Sequence, residues 1–447
     1  MTMLKFYRSN NSFSYETCSL ICKLAMYSFL LSACIANASE LEKSDQAKTL
    51  KNTNSSSQWF SETNFLDNLK FQGFASQAFI ATSDNNVFGK TDHGGGFGFT
   101  EIGLNALFRP LPRLQLSAQM LSRRAGEGGN AGVPRLDFGF VDYLLYSHEV
   151  HQFGIRVGRL KNPFGFYNDT RDVAFTRPSI LLPQSIYFDR TRNLGMSSDS
   201  VQLYGETSHP TIGNFSVQFG VMRSLVKDRE TEYAIFHSSR IGELSPETSF
   251  IGRGIYETHD ARLRLAISGI WLNTHYNPGG PDDTLTRGSF SFSPLFLSAQ
   301  YNAEKWSLTA EYALRRLDFA NFGTPTLDEQ ANNTTGESFY VQGVYRFHPK
   351  WEALLRYDVY FADRSDRDGK KFVQWRIDHN RSAPPAHSRY AKDLTVGLRW
   401  NITPQIMARF EYHHIHGTGW ISGLDNPDIA STVKEWDLFA AQLSFRF

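Results

Sequence analysis

The sequence predicts an all-β fold, a transmembrane antiparallel β-barrel of about 16 strands with its third long loop folded inward. Three observations carry that reading. Segments of about ten residues alternate apolar with polar side chains, their connections alternate short with long, and aromatic residues make up 14% of a chain whose mean hydropathy is -0.38. Only alternate residues of a barrel strand face lipid, so such a chain is aromatic yet polar on average. A helical membrane protein needs apolar runs of about 18 residues or more, and none follows the N-terminal segment.

The N-terminus has the form of an export signal. Lys5, Arg8 and Lys23 are basic, Leu24 to Ile35 is apolar, and Ala36-Asn37-Ala38 offers a small-x-small cleavage site. Residues 1–38 are therefore assigned as a signal peptide. Leu31-Ser32-Ala33-Cys34 also fits a lipoprotein signal with Cys34 lipidated; cleavage after Ala38 is preferred because a barrel needs no lipid anchor. Cys18, Cys22 and Cys34 all fall in this segment, so cleavage leaves no thiol for disulfides, metal ligation or nucleophilic catalysis. The segment carries three basic residues and one acidic residue, so its removal takes the formal charge from +1 to -1. That near-neutral balance gives no reason to expect a nucleic-acid partner.

Residues 39–68 are polar and form a lead-in on the periplasmic side, with a low-complexity run from Asn52 to Ser57. The barrel is assigned to 69–447. Ile102, Leu104, Ala106 and Phe108 fall on one face of a strand and Glu101, Gly103, Asn105 and Arg109 on the other, with Leu107 breaking the pattern. Leu114 to Met120, Trp306 to Leu314 and Leu394 to Trp400 alternate in the same way. Helical faces would repeat every three or four residues instead.

Short connections are expected at Pro110-Leu111-Pro112, Ser147 to His151, Ser208 to Gly213, Glu257 to Asp260, Asn302 to Lys305, His348-Pro349-Lys350 and Ile402-Thr403-Pro404. Longer ones lie between them: Thr82 to Gly95, Arg124 to Pro134, Leu160 to Met196, Ser224 to Glu247, Thr274 to Thr286, Ala320 to Thr335, Ala362 to His387 and Gly417 to Thr432. Seven short and eight long connections join sixteen strands, the even number that closure favours. The segment from Thr248 to Tyr256 is the least regular of the sixteen.

The longest connection is also the most apolar. Phe164, Phe166, Tyr167, Phe175, Ile180, Leu181, Leu182 and Ile186 need burial, and a loop folded into the lumen provides it. From Arg156 to Arg192 the basic residues are Arg156, Arg159, Lys161, Arg171, Arg177, Arg190 and Arg192, against Asp169, Asp172 and Asp189. Four excess positive charges in a confined lumen would concentrate anions, and guanidinium suits phosphate or carboxylate. These seven are the candidate constriction and anion-binding residues; each arginine could equally be spent pinning the loop to an acid. On the strand faces, Arg262, Arg264, Arg315, Arg346, Arg356, Arg399 and Arg409 are matched by Glu101, Asp142, Glu311, Glu352, Asp358, Asp393 and Glu411, which suggests a field across the lumen.

The third loop carries a local pattern: Gly158-Arg159, then Lys161-x-Pro163-x-Gly165-x-Tyr167-Asn168-x-x-Arg171-Asp172, then Thr176-Arg177-Pro178 and Leu182-Pro183-Gln184. With the strand count, it resembles the 16-stranded Gram-negative porins, and locally the phosphate-selective porin O/P-like group. The resemblance implies a channel of the cell outer membrane for small hydrophilic solutes or anions, with no cofactor, and a homotrimer. It implies no phosphate selectivity, because the group's lysine-rich pattern is replaced here by arginines. In the last strand Phe439, Ala441, Leu443, Phe445 and Phe447 alternate with more polar positions, like the terminal strand that the barrel assembly machinery recognises, with Phe447 as its signal. Outer-membrane lipid and lipopolysaccharide would surround such a barrel.

Other classes find less support. His413-His414-x-His416 is a weak metal motif, because adjacent strand residues face opposite ways. No Gly-x-Ser-x-Gly elbow or paired-carboxylate motif stands out, so no catalytic residues are assigned and the chain is read as a non-enzyme. The alternatives are an outer-membrane enzyme of phospholipase or protease type, and an adhesin or receptor on a closed barrel.

Overall fold

The computed structural model describes residues 68–127, 132–238, 240–322 and 333–447. The signal-peptide segment and the lead-in up to residue 67 lie outside the described residues.

Sixteen strands close into one antiparallel sheet. They are β1 (Leu69–Thr82), β2 (Gly96–Leu111), β3 (Leu114–Ala125), β4 (Arg135–His148), β5 (His151–Lys161), β6 (Ser197–His209), β7 (Gly213–Ser224), β8 (in two pieces, Glu243–Pro246 and Ser249–Glu257), β9 (Leu263–Asn277), β10 (Gly288–Asn302), β11 (Trp306–Ala320), β12 (Thr334–His348), β13 (Trp351–Phe361), β14 (Tyr390–Asn401), β15 (Ile406–Gly417) and β16 (Glu435–Arg446). Each strand pairs with its sequence neighbours, and β1 pairs with β16 from Phe74↔Arg446 to Thr82↔Leu438. Phe447 extends that seam by exchanging backbone hydrogen bonds with Gly73, at 3.0 and 3.2 Å. Closure leaves no unpaired edge, which is the condition for a sheet to sit in hydrocarbon.

The turns at one end run from two residues (112–113, 149–150, 349–350) to five (258–262), and the loops at the other end are all longer. We number those outer loops L1 to L8 in chain order. All seven short and eight long connections occur in the expected order, but the first piece of β8 lies within the expected Ser224 to Glu247 connection and β9 runs on to Asn277, into the expected Thr274 to Thr286 connection. The irregular strand is β8. Pro246 has no N–H to give the ladder, and the strand breaks immediately after it. The Ser249 hydroxyl then accepts from the Asn273 N–H at 3.0 Å, replacing a backbone carbonyl.

The two faces of the wall are inverted relative to a water-soluble protein. Ile102, Leu104, Val157, Ile267, Leu297, Val341, Leu355, Val396 and Leu443 are all exposed on the outside. Glu101, Gln119, Arg253, Glu311, Arg356, Asp393, Arg409 and Glu411 are buried on the inside. So wide an apolar exterior is stable only against lipid. Aromatic rings gather towards the short-turn end, where Trp351 and Trp400 stack at 5.2 Å and Tyr301 meets Trp306 at 5.4 Å. That is the girdle position, where a ring sits half in headgroups.

Candidate functional site

L3, residues 162–196, folds into the lumen and ends in the short helix α1 (Arg192–Met196). Its two stems are tied by amides: Asn168 Nδ2 donates to the carbonyls of Asn162 and Gly195, and the Ser198 hydroxyl donates to Asn162 Oδ1 at 2.6 Å. At Gly165 the backbone takes a left-handed conformation (φ 56°), and an added Cβ would collide with the Tyr187 hydroxyl. This bend aims two N–H groups at the wall. Gly165 donates to the Ser268 hydroxyl at 3.0 Å and Phe166 donates to Glu311 Oε1 at 3.0 Å.

The wall answers the loop's backbone group by group. Glu311 on β11 accepts from the Phe166 N–H and from the hydroxyls of Tyr187 (2.6 Å), Ser298 (2.6 Å) and Tyr340 (2.7 Å). Asp358 on β13 accepts from the Ser185 N–H, and Glu411 on β15 accepts from the N–H groups of Ile180 and Leu181. Arginines on these three strands and on β8 serve the carbonyls. Arg253 donates to Gly165, Arg315 to Ser185, Arg356 to Leu181, and Arg409 to Arg177 and Ser179. An irregular loop in a lumen must satisfy every polar backbone group, and charged wall groups do so more strongly than neutral ones. The apolar side chains fill what remains: Phe164, Phe166, Tyr167, Ile180, Leu181, Leu182, Ile186 and Tyr187 are all buried, and Phe164 stacks on Phe296 at 4.9 Å. Phe175 is only half-buried, beneath the Arg446 guanidinium at 4.3 Å.

The seven basic residues singled out as one anion-binding set divide under this geometry. Six are engaged with acids. Arg156 pairs with Asp142 at 2.8 Å, Lys161 bridges Asp137 and Asp172, and Arg192 also meets Asp172. Arg177 pairs with Glu101 at 2.7 Å and Arg171 with Asp189 at 3.3 Å. Arg123 joins these last two pairs, reaching Glu101 at 3.2 Å and Asp189 at 2.7 Å. Burial pushes the Asp189 carboxyl up, but Arg123 and Arg171 outweigh it and hold it below the usual carboxylate range. Arg159 alternates with the inward Leu160 and stands beside the exposed Val157; it pairs with Asp199 opposite, at 2.8 Å, on the outward face. With its partner Asp199 exposed on that face, Arg159 does not line the passage.

Arg190 differs from the other six. Among the described residues it has no carboxylate partner; it donates to the Tyr360 hydroxyl at 3.3 Å and lies over Phe188 at 5.3 Å. Two further guanidiniums meet it in a cavity of about 130 Å3: Arg315 from the wall and Arg389 from the end of L7. Neither forms an ion pair with a described acid, and Arg315 leaves Nε and Nη2 without a hydrogen-bond partner while buried. Sequence reasoning assigned Arg315 to a wall balanced by acids and missed Arg389. The signal that L7 returns to the lumen was its length alone.

L4 closes over this region with the helix α2 (Arg229–Phe236), capped by Asp228, whose side chain accepts from the Thr231 N–H at 2.9 Å. Glu230 in its first turn is buried. Burial pushes that carboxyl up to about 8 despite Arg123 nearby. A carboxyl raised in the folded state holds its proton more tightly than in the undocked loop. The docking it supports is complete below the ordinary carboxylate range and is lost as pH rises through 8. Hydrogen exchange of 229–236, corrected for intrinsic rates, should lose protection progressively between about pH 4.5 and 8 and level off above that. Glu230→Gln should flatten that dependence; an unchanged slope in the variant would discard the assignment.

The histidines separate as their parity requires. His413 is buried inside, its Nδ1 2.9 Å from Asp393 and its Nε2 3.3 Å from Glu411, while His414 points outward to Asp437. Thr395 shares the same Nδ1 as Asp393, so the hydroxyl, ring and acid do not form a relay. The described residues hold no group of three such ligands placed for a metal.

No family model matches the chain, and no curated protein matches it in sequence. Solved structures do match in shape. An anion-selective porin from Comamonas acidovorans superposes with a TM-score of 0.54 at 14% identity, over 85% of this chain and 99% of that one. Pseudomonas putida OprB, in its high-pH structure, gives 0.56 at 12% identity, over 86% and 96%. The chain is a multi-pass β-barrel with the closed sixteen-stranded fold of the outer-membrane porins.

Proposed function

We propose that the protein is an outer-membrane porin that passes small hydrophilic solutes and favours anions. The observation that carries this is the lumen itself, where L3 is held across the passage by wall charges and three guanidiniums, Arg190, Arg315 and Arg389, face one cavity without a partner acid. A constricted passage of low dielectric magnifies such an imbalance. The anion selectivity stated for the Comamonas acidovorans porin supports the same sign. Residues 1–38 act in this reading as the export signal, Phe447 marks the terminal strand for the barrel assembly machinery, and the exposed belt meets outer-membrane lipid and lipopolysaccharide. Homotrimeric assembly is part of the proposal through the porin likeness.

Purified full-length protein in a planar bilayer should give stepwise conductance, with a reversal potential of anionic sign across a KCl gradient. Folded protein that inserts and never conducts would refute the channel reading. A cation-selective current would refute the preference alone.

A further inference from the structure

The unpaired cations are set among rings. Arg315 lies over Phe188 at 4.6 Å and over Tyr360 at 4.7 Å, with Arg190 over the same two rings at 5.3 and 5.8 Å. Arg389 closes one side and Phe292 lines another. The cavity of about 130 Å3 is close to the roughly 150 Å3 that holds one benzene ring in a protein interior.

We propose that this chamber binds a monocyclic aromatic carboxylate. The claim deepens the anion-passing reading and rests on it for the statement that solute reaches the chamber. Two requirements select the ligand class. Arg315 Nη2 and Nε are buried donors without acceptors, and an oxygen pair presented in a plane satisfies a guanidinium fork. Apart from Thr191, His237 and Thr334, the rest of the lining is apolar and aromatic, which favours a flat ring over the compact, fully hydrophilic phosphate. A short aliphatic acid would satisfy the guanidiniums and leave the ring-sized space unfilled. Arg190 and Arg389 come from two different loops, so the bound anion bridges L3 and L7.

Calorimetric titration of the folded full-length protein in detergent tests this with benzoate, benzamide, acetate and inorganic phosphate as probes. Benzoate should bind saturably at one site, with benzamide and acetate at least about tenfold weaker, since each lacks one of the two recognised features. Arg389→Gln should weaken benzoate about tenfold, and Arg190→Gln, which touches a different loop, should do the same if the first variant fails to fold. Acetate or phosphate binding as tightly as benzoate would overturn the proposal, as would benzoate affinity unchanged in a folded variant. Bilayer conductance separates the two claims. Benzoate binding by a protein that does not conduct refutes the channel and keeps the site, whereas conductance with no benzoate binding keeps the channel and refutes the site.

Discussion

Replacing Glu311 by alanine should release L3 from the wall without opening the barrel. The carboxylate accepts four hydrogen bonds, two of them from parts of the loop more than twenty residues apart, Phe166 and Tyr187. Removal leaves the hydroxyls of Tyr187, Ser298 and Tyr340 short of an acceptor where water is scarce, and leaves the Phe166 N–H only the Tyr187 hydroxyl. Each buried donor left without an acceptor costs about 1–3 kcal/mol, so the three hydroxyls together cost at least about 3 kcal/mol. About 3 kcal/mol already shifts a docked-to-undocked ratio by roughly a hundredfold. The backbone ladders of β10, β11 and β12 do not depend on this side chain, so the barrel should keep its heat-modifiable gel mobility. Single-channel current should become larger and noisier, and trypsin should gain access to Arg171 and Arg192, both buried in the parent. Glu311→Gln retains an acceptor oxygen and should fall between. A Glu311→Ala channel as quiet and as protease-resistant as the parent would mean that the loop is held elsewhere.

The barrel was legible because its constraint is local. A strand between lipid and lumen must alternate, and Leu394 to Trp400 shows this without reference to any neighbour. Turn positions were legible for a similar reason, since Pro112, Pro349 and Pro404 mark points where a ladder donor is missing. That L3 turns inward was legible from composition, because Phe164 to Ile186 is too apolar to face water. What was not legible was which charge met which. Glu101 and Arg177 are 76 positions apart, and Glu411 meets Ile180 across 231. Those distances are set by how far L3 travels around the wall, and nothing in the alternation specifies that path. For the same reason Arg356 and Arg409 read as field-forming charges, when their guanidiniums are occupied by loop carbonyls.

Neutralising the L3 arginines should therefore produce two different phenotypes. Arg177→Gln breaks a buried pair at 2.7 Å and strands Glu101 with Arg123 alone. That belongs to the class costing about 3–5 kcal/mol, and its effect is a loosened loop, read as current noise and proteolysis. Arg192→Gln should behave in the same way, leaving the buried Asp172 with Lys161 alone, and so should Arg171→Gln, leaving the partly buried Asp189 with Arg123 alone. Arg190→Gln gives up one 3.3 Å hydrogen bond and a stacked contact over Phe188 and leaves no described acid unpaired. Its structural cost is about 1 kcal/mol or less. Its effect on ions is direct. A unit charge about 5 Å from a passing anion contributes on the order of 1 kcal/mol even at the dielectric of water, and more in a narrower, drier passage. Arg190→Gln should thus lower the anion-to-cation permeability ratio about fourfold or more, with unit conductance and noise close to the parent. Reversal potentials across a KCl gradient give the ratio, and raising the salt should shrink the difference between parent and variant as screening shortens to about 3 Å at 1 M. An unchanged ratio in Arg190→Gln would place the selectivity element elsewhere in the lumen; a noisy, protease-sensitive channel from the same substitution would place Arg190 with the pinning residues.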